Sequence, residues 1–231
     1  MTRTPSVMER RTFLRLAAAG VASTTVGAPL SACGAERRNE ARPSPARTPR
    51  PGREARSRIL LAYFSRAGEN YHYGGRRNLE VGNTEVLARM IGARLDCDVH
   101  RIEASDRYPA DYEETVQRNV REQEADARPA IAGPLPTIGP YDTILLASPI
   151  WNVRAPMIMS TFTERHDFSG RTVFPVTTHA MSGLGTAEDD YAASCPGARF
   201  GPGLAVRGER VRSAGPAVDS WLGRAGLLDP G

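Results

Sequence analysis

Three short segments carry residue types able to hold a ligand, and each follows an apolar run. The first is Ser65-Arg66-Ala67-Gly68, resumed after an interval by Gly82-Asn83-Thr84 at the start of a helical pattern. Hydroxyls and unpaired backbone N–H groups at a helix start attract an anion, because the helix dipole adds to the free donors there. The same residues also read as an ordinary N-cap by Asn83 or Thr84 with no ligand. The second segment is Ser148-Pro149-Ile150-Trp151-Asn152-Val153-Arg154-Ala155-Pro156. Core packing explains a Trp in such a loop poorly, whereas its ring would make a flat apolar wall for an aromatic ligand. The third is Thr178-His179-Ala180-Met181-Ser182-Gly183-Leu184-Gly185, whose glycines let backbone donors approach a ligand closely. Taken singly, each of the last two is also an ordinary loop.

Other chemistries lack their frames. There is no G-x-G-x-x-G and no G-x-x-x-x-G-K-S/T, so neither dinucleotide nor nucleoside triphosphate binding is indicated. Ser182 lies near His179 but without the G-x-S-x-G elbow of a hydrolase. A phospho-receiver needs an Asp where Ala147-Ser148-Pro149 stands. Cys33, Cys97 and Cys195 show no metal-ligand spacing, so no metal site is expected.

The elements that must position these segments alternate. Ile59–Phe64 is a continuous apolar run, as for a strand buried on both faces. A helical pattern follows from Gly82, with Val86, Leu87, Met90 and Ile91 on one face. Val99–Ile102 reads as a second strand, and a charged helix runs from Asp111 to about Ala127. Thr143–Ala147 repeats the buried-strand pattern, and Ala155–Glu164 reads as the next helix. Thr172–Thr177 is a fourth strand whose Pro175 is odd in an interior position. A helix at Ala187–Ser194, a short strand at Leu204–Val206 and a helix at Ser213–Ala225 complete the chain. Five strands alternating with five helices predict an α/β fold with a doubly wound parallel sheet. Ligands of such folds sit beyond the carboxyl ends of the strands. All three candidate segments fall on that edge.

The charge divides the chain. Residues 1–58 hold 12 Arg against 4 Glu, and residues 59–231 hold 18 Arg against 22 Asp and Glu. The folded part is therefore slightly acidic, which argues against a nucleic-acid partner. Glu9-Arg10-Arg11-Thr12-Phe13-Leu14 leads into an apolar stretch ending in Leu30-Ser31-Ala32-Cys33. This order describes a signal peptide at 1–33 that is short for a membrane span. Its Arg pair resembles a twin-arginine export signal, and its ending resembles a lipobox in which Cys33 is lipidated. Residues 34–58, rich in Arg and Pro, read as a semi-extended tether before a domain at 59–231. The expected location is thus the extracytoplasmic side of a membrane, held by the N-terminal lipid. Cys97 and Cys195 precede opposite edge strands, so no disulfide between them is expected.

Several short motifs, taken in order, resemble the flavodoxin-like family from about Ile59 to Leu227. They include Ala62-Tyr63-Phe64-Ser65-Arg66, Tyr108-Pro109-Ala110-Asp111-Tyr112, Ser148-Pro149-Ile150-Trp151 and Ser182-Gly183-Leu184-Gly185, with Gly203–Gly208 fitting the same pattern. The resemblance implies three layers with strand order 2-1-3-4-5 and FMN as cofactor. By motif, the phosphate would fall to Ser65, Arg66, Asn83 and Thr84. The ring system would lie between the Trp151 loop and the His179–Gly185 loop. Backbone groups of Pro149, Ile150, Trp151, Asn152 and Val153, and of Thr178, His179, Ser182 and Gly183, would face its polar edge. Two departures stand out: Glu69–Val81 interrupts the phosphate loop, and Asn152-Val153-Arg154 follows the Trp. The insert is either a lid over the flavin or a surface bulge. Arg154 is either a charge beside the flavin or a solvated helix-start residue.

The function implied is a redox protein carrying electrons through FMN, working with a redox partner protein or a small acceptor such as a quinone. An FMN-dependent NAD(P)H:quinone-type reductase and a flavin-less binding module of the same fold are the alternatives. The twin-arginine reading agrees with a cofactor, since that route exports proteins already folded.

Overall fold

The structure, a computed structural model, describes residues 58–228. The expected signal peptide, the Cys33 lipidation site and the tether up to residue 57 lie outside the described residues. From there the chain runs β1 (Ile59–Phe64), β2 (Gly68–His72), β3 (Gly75–Leu79), α1 (Asn83–Gly92), β4 (Asp98–Ile102), α2 (Tyr112–Glu124) and β5 (Thr143–Pro149). It continues α3 (Met157–Thr163), β6 (Thr172–His179), α4 (Ala187–Ser194), β7 (Arg199–Phe200), β8 (Leu204–Arg207), a 3-10 segment (Gly208–Ser213) and α5 (Gly215–Arg224).

The central strands are mostly apolar because their side chains enter one of two cores, with Ser148, Thr177 and Thr178 as buried polar residues toward the carboxyl ends. In β1, Ile59, Leu61 and Tyr63 face one core while Leu60, Ala62 and Phe64 face the other. The first core is closed by Leu87 and Ile91 of α1 and by Val218, Trp221 and Leu222 of α5. The second is closed by Ile158 and Phe162 of α3 and by Tyr191 of α4. This gives three layers around a parallel sheet ordered β4-β1-β5-β6-β7, with β8 also pairing β6. Leaving aside β2 and β3, which form their own antiparallel ribbon, this is the expected 2-1-3-4-5 order with the fifth position split in two.

Pro175 explains the split. Along β6, Val173 accepts from Gly201 on the β7–β8 side, while Thr178 accepts from Ile150 on the β5 side. Alternation places Pro175 toward β7 and β8, and its missing N–H falls where neither pairs: β7 registers with Thr172 and Val173, β8 with Val176 to His179. A proline is thus tolerated in an interior strand because its neighbour is interrupted there. Cys97 packs against the first core and Cys195 sits in the second, on opposite faces of the sheet, and both are free thiols. Among the described residues no helix is long and apolar enough to cross a membrane, and no cluster of His, Cys, Asp or Glu is arranged for a metal ion.

Candidate functional site

The insert is a hairpin beside the first loop. Gly82 lies so close to the Arg66 carbonyl and the Ser65 hydroxyl that any Cβ there would collide with both. Ser65 Oγ also accepts the Glu85 N–H at 3.0 Å. The two ends of the interrupted loop are therefore clamped together, and β2–β3 leaves the loop without filling it. The hairpin is fixed at its base, where Glu69 N–H donates to the Ala110 carbonyl at 2.8 Å. Arg76 stacks over Tyr112 at 3.5 Å from the ring centroid and pairs with Glu113 at 2.9 Å. At its turn, Tyr73 N–H donates to Glu209 Oε1 at 3.3 Å. It thus spans from the start of α2 to the segment after β8.

Beneath it, beyond the carboxyl ends of β1, β5, β6 and β8, lies an open cleft. Ser65, Arg66, Asn83, Thr84, Pro149, Ile150, Trp151, Thr178 and His179, all expected from the sequence, line it together. At its first end, α1 begins at Gly82 with no side-chain cap. Glu85 and Val86 N–H groups are taken by Ser65 Oγ and Gly82 O, whereas those of Asn83 and Thr84 find no acceptor among the described residues. Free donors at a helix start make an anion cradle. Thr84 Oγ1 is occupied by Thr178 Oγ1 at 2.7 Å, which ties α1 to β6. Arg66 donates to the carbonyls of Pro109, at 2.8 Å, Ala110, at 3.1 Å, and Glu69, so its fork holds loops in place. Only its Nε is left buried without a partner, and burial lowers its proton affinity.

At the other end, Trp151 packs edge-on against Phe64 and Tyr108, with centroids 5.6 and 5.1 Å away. Such a cluster fixes the indole before any ligand arrives. Its loop turns back at once: Trp151 and Arg154 exchange both backbone bonds, with Asn152 and Val153 at φ of 47° and 64°. A β-branched residue in that region costs on the order of 1–2 kcal/mol. Asn152 and Val153 are not among the residues that line the cleft: Asn152 donates to Gln123 and Val153 is 55% exposed. Ser182 and Gly183 are likewise not among the lining residues; Ser182 O accepts from Gly185 and Gly183 O from Thr177 in a tight turn. Arg154 is neither a cleft charge nor a solvated helix start: it closes the Trp151 turn and pairs with Asp190 of α4 at 2.9 Å.

Tyr112, Asn70 and Glu209 join the lining without having been singled out, and Tyr71 of the insert joins them. Tyr112 was visible only as part of a motif, and Glu209 carried no signal. His179 Nδ1 and Glu209 Oε2 are buried without hydrogen-bond partners. Burial, then the nearby Arg207, lower the proton affinity of His179, with Glu209 opposing. Three of the five buried side-chain atoms left unpaired among the described residues thus belong to this one cleft. The arrangement pairs an anion cradle with a fixed aromatic wall and unsatisfied polar atoms between them.

A doubly wound sheet with this cleft at its carboxyl edge is the architecture of a flavodoxin-like protein. The chain belongs to the flavodoxin family, whose model matches residues 58–224. It is similar to a Bacteroides eggerthii protein assigned as a flavoprotein, at 28% identity over 74% of this chain and 99% of that one, with a TM-score of 0.60. A Bacteroides uniformis protein with the same assignment is 28% identical over 72% of this chain and 98% of that one, with a TM-score of 0.57. A Lactobacillus acidophilus flavoprotein solved in complex with FMN shares 19% identity over 71% of this chain and 98% of its own, with a TM-score of 0.50. No curated protein matches the chain.

Proposed function

We propose that this protein binds FMN in the cleft and carries electrons at the outer face of a membrane. The observation that carries the reading is the pairing, in one cleft, of unpaired N–H groups at the start of α1 with the fixed Trp151 ring. The residues present fit the group: its phosphate matches the donors of Asn83 and Thr84, and the Ser65 hydroxyl can still donate while it caps Glu85. Ile150 N–H is engaged by Thr178 O at 2.8 Å, so the two ring-side loops are held to one another. Bound FMN supplies reversible electron acceptance and release. The chain's own residues bind it, orient it and, through the hairpin, keep water from the phosphate end. No acid–base residue is required.

Export and anchoring rest on the Arg10-Arg11 pair and the Leu30–Cys33 ending. Replacing Cys33 with Ser should release the protein from the membrane fraction. A reductase acting on its own small acceptor is the second reading, favoured by Tyr71 and His179 in the lining of the same cleft. Oxidation of NAD(P)H in the presence of a quinone separates the two. A carrier turns over only with a partner protein, and steady turnover by the purified protein alone would make it a reductase.

A further inference from the structure

Glu209 is the one carboxylate in the cleft lining among the described residues, and its side chain is 1% exposed. Oε1 accepts the Tyr73 N–H. Oε2 has no hydrogen bond and lies only within 3.9 Å of Arg207 Nε, which itself donates to the Ala180 carbonyl at 3.0 Å. A buried carboxylate oxygen without a donor is costly, and a carboxylate can only accept. The nearby His179 Nδ1 is also buried and unpaired, on the strand residue that registers with Arg207.

The position of Glu209 narrows what the missing donor is. Gly208, just before it, abuts Asn83 so closely that a Cβ would collide with the amide, which places this segment against the start of α1. His179 ends β6 one residue beyond Thr178, whose carbonyl holds the Trp151 loop. Glu209 therefore adjoins the start of α1 on one side and, on the other, the end of β6, whose Thr178 carbonyl holds the Trp151 loop. It would repel a phosphate. A ligand that reaches both the anion cradle and the aromatic wall would pass Glu209 with the chain that joins its two parts, and hydroxyls on that chain are donors a carboxylate can accept.

We infer that Glu209 accepts hydrogen bonds from the hydroxyls of the polyol chain linking phosphate to ring, with His179 Nδ1 as the second contact. The inference rests on the FMN reading of the cleft. Because Oε1 holds the hairpin turn, the same side chain joins the hairpin to the ligand.

Fluorescence titrations of the full chain with FMN, riboflavin and lumiflavin test this, since lumiflavin lacks the polyol and riboflavin lacks the phosphate. Glu209→Gln should weaken riboflavin by about tenfold, weaken FMN by less because the repulsion of its phosphate is removed with the charge, and leave lumiflavin unchanged. Glu209→Asp, which keeps the charge but shortens the reach, should weaken the same two ligands by less. Equal loss for lumiflavin, no loss for any ligand, or tighter FMN with unchanged riboflavin would each overturn the assignment. A wild-type protein that binds none of the three contradicts the FMN reading itself, and the assignment falls with it.

Discussion

The anion end of the cleft and the stretch beside it, where β6 and β8 end, are built differently. At the anion end, Ser65, Arg66 and Thr84 already have protein partners, Arg66 Nε apart, and Gly82 closes the loop on itself. Between the β6 and β8 ends, His179 and Glu209 keep buried polar atoms without partners. The first end is preorganised, so an anion arriving there meets donors already in place and little ordering remains. The second is incomplete until a ligand supplies hydrogen bonds, so binding there should be felt in stability as well as affinity.

Changes at the two ends should therefore separate by ligand. The largest effect is expected for Gly82→Val, whose side chain displaces the Ser65–Arg66 backbone and spoils the cradle. FMN affinity should fall on the order of a hundredfold, with riboflavin, which has no phosphate, losing far less. Equal losses would erase the distinction between the ends. Trp151→Ala removes the aromatic wall, and FMN and riboflavin should both weaken by about tenfold. Excising residues 69–81, so that Gly68 runs directly into Gly82, should leave a folded protein, because the Ser65–Gly82 clamp does not involve the hairpin. FMN should then weaken by roughly threefold, one lost hydrogen-bonded cover. Failure to fold would show that the hairpin is part of the core.

The smallest effect is on pH. Burial holds His179 and His100 below their ordinary 6.5. The unfolded chain takes up protons first as pH falls, so stability is full above about 6.5 and declines below it. Thermal melts on either side of that pH should show the decline, and His179→Gln should reduce it. An unchanged decline would assign it to His100 and the carboxylates.

Much of this site was legible because its residues sit in runs the sheet must treat alike. Ile59–Phe64 is apolar at every position and Thr143–Ala147 at all but its first, which a doubly buried strand explains, and the loops after them then share one edge. Four residues read into the site, Asn152, Val153, Ser182 and Gly183, are not among the residues that line the cleft, and tight turns reverse the chain one residue past Trp151 and again at Ser182–Gly185. Positive φ at Val153 has no signature in residue type. Pro175 was noticed as an anomaly, but the gap between β7 and β8 that accommodates it depends on a partner strand distant in sequence. Glu209 was missed for a similar reason, since a single Glu among Arg207, Arg210 and Arg212 reads as a solvated charge until the fold buries it.

The central claim is that the cleft holds FMN, and an absorption spectrum tests it most directly. Protein lacking residues 1–33, purified and then titrated with FMN, should carry or take up one flavin per chain and release it on denaturation. A folded protein that is colourless and leaves the spectrum of added FMN unchanged would contradict the account.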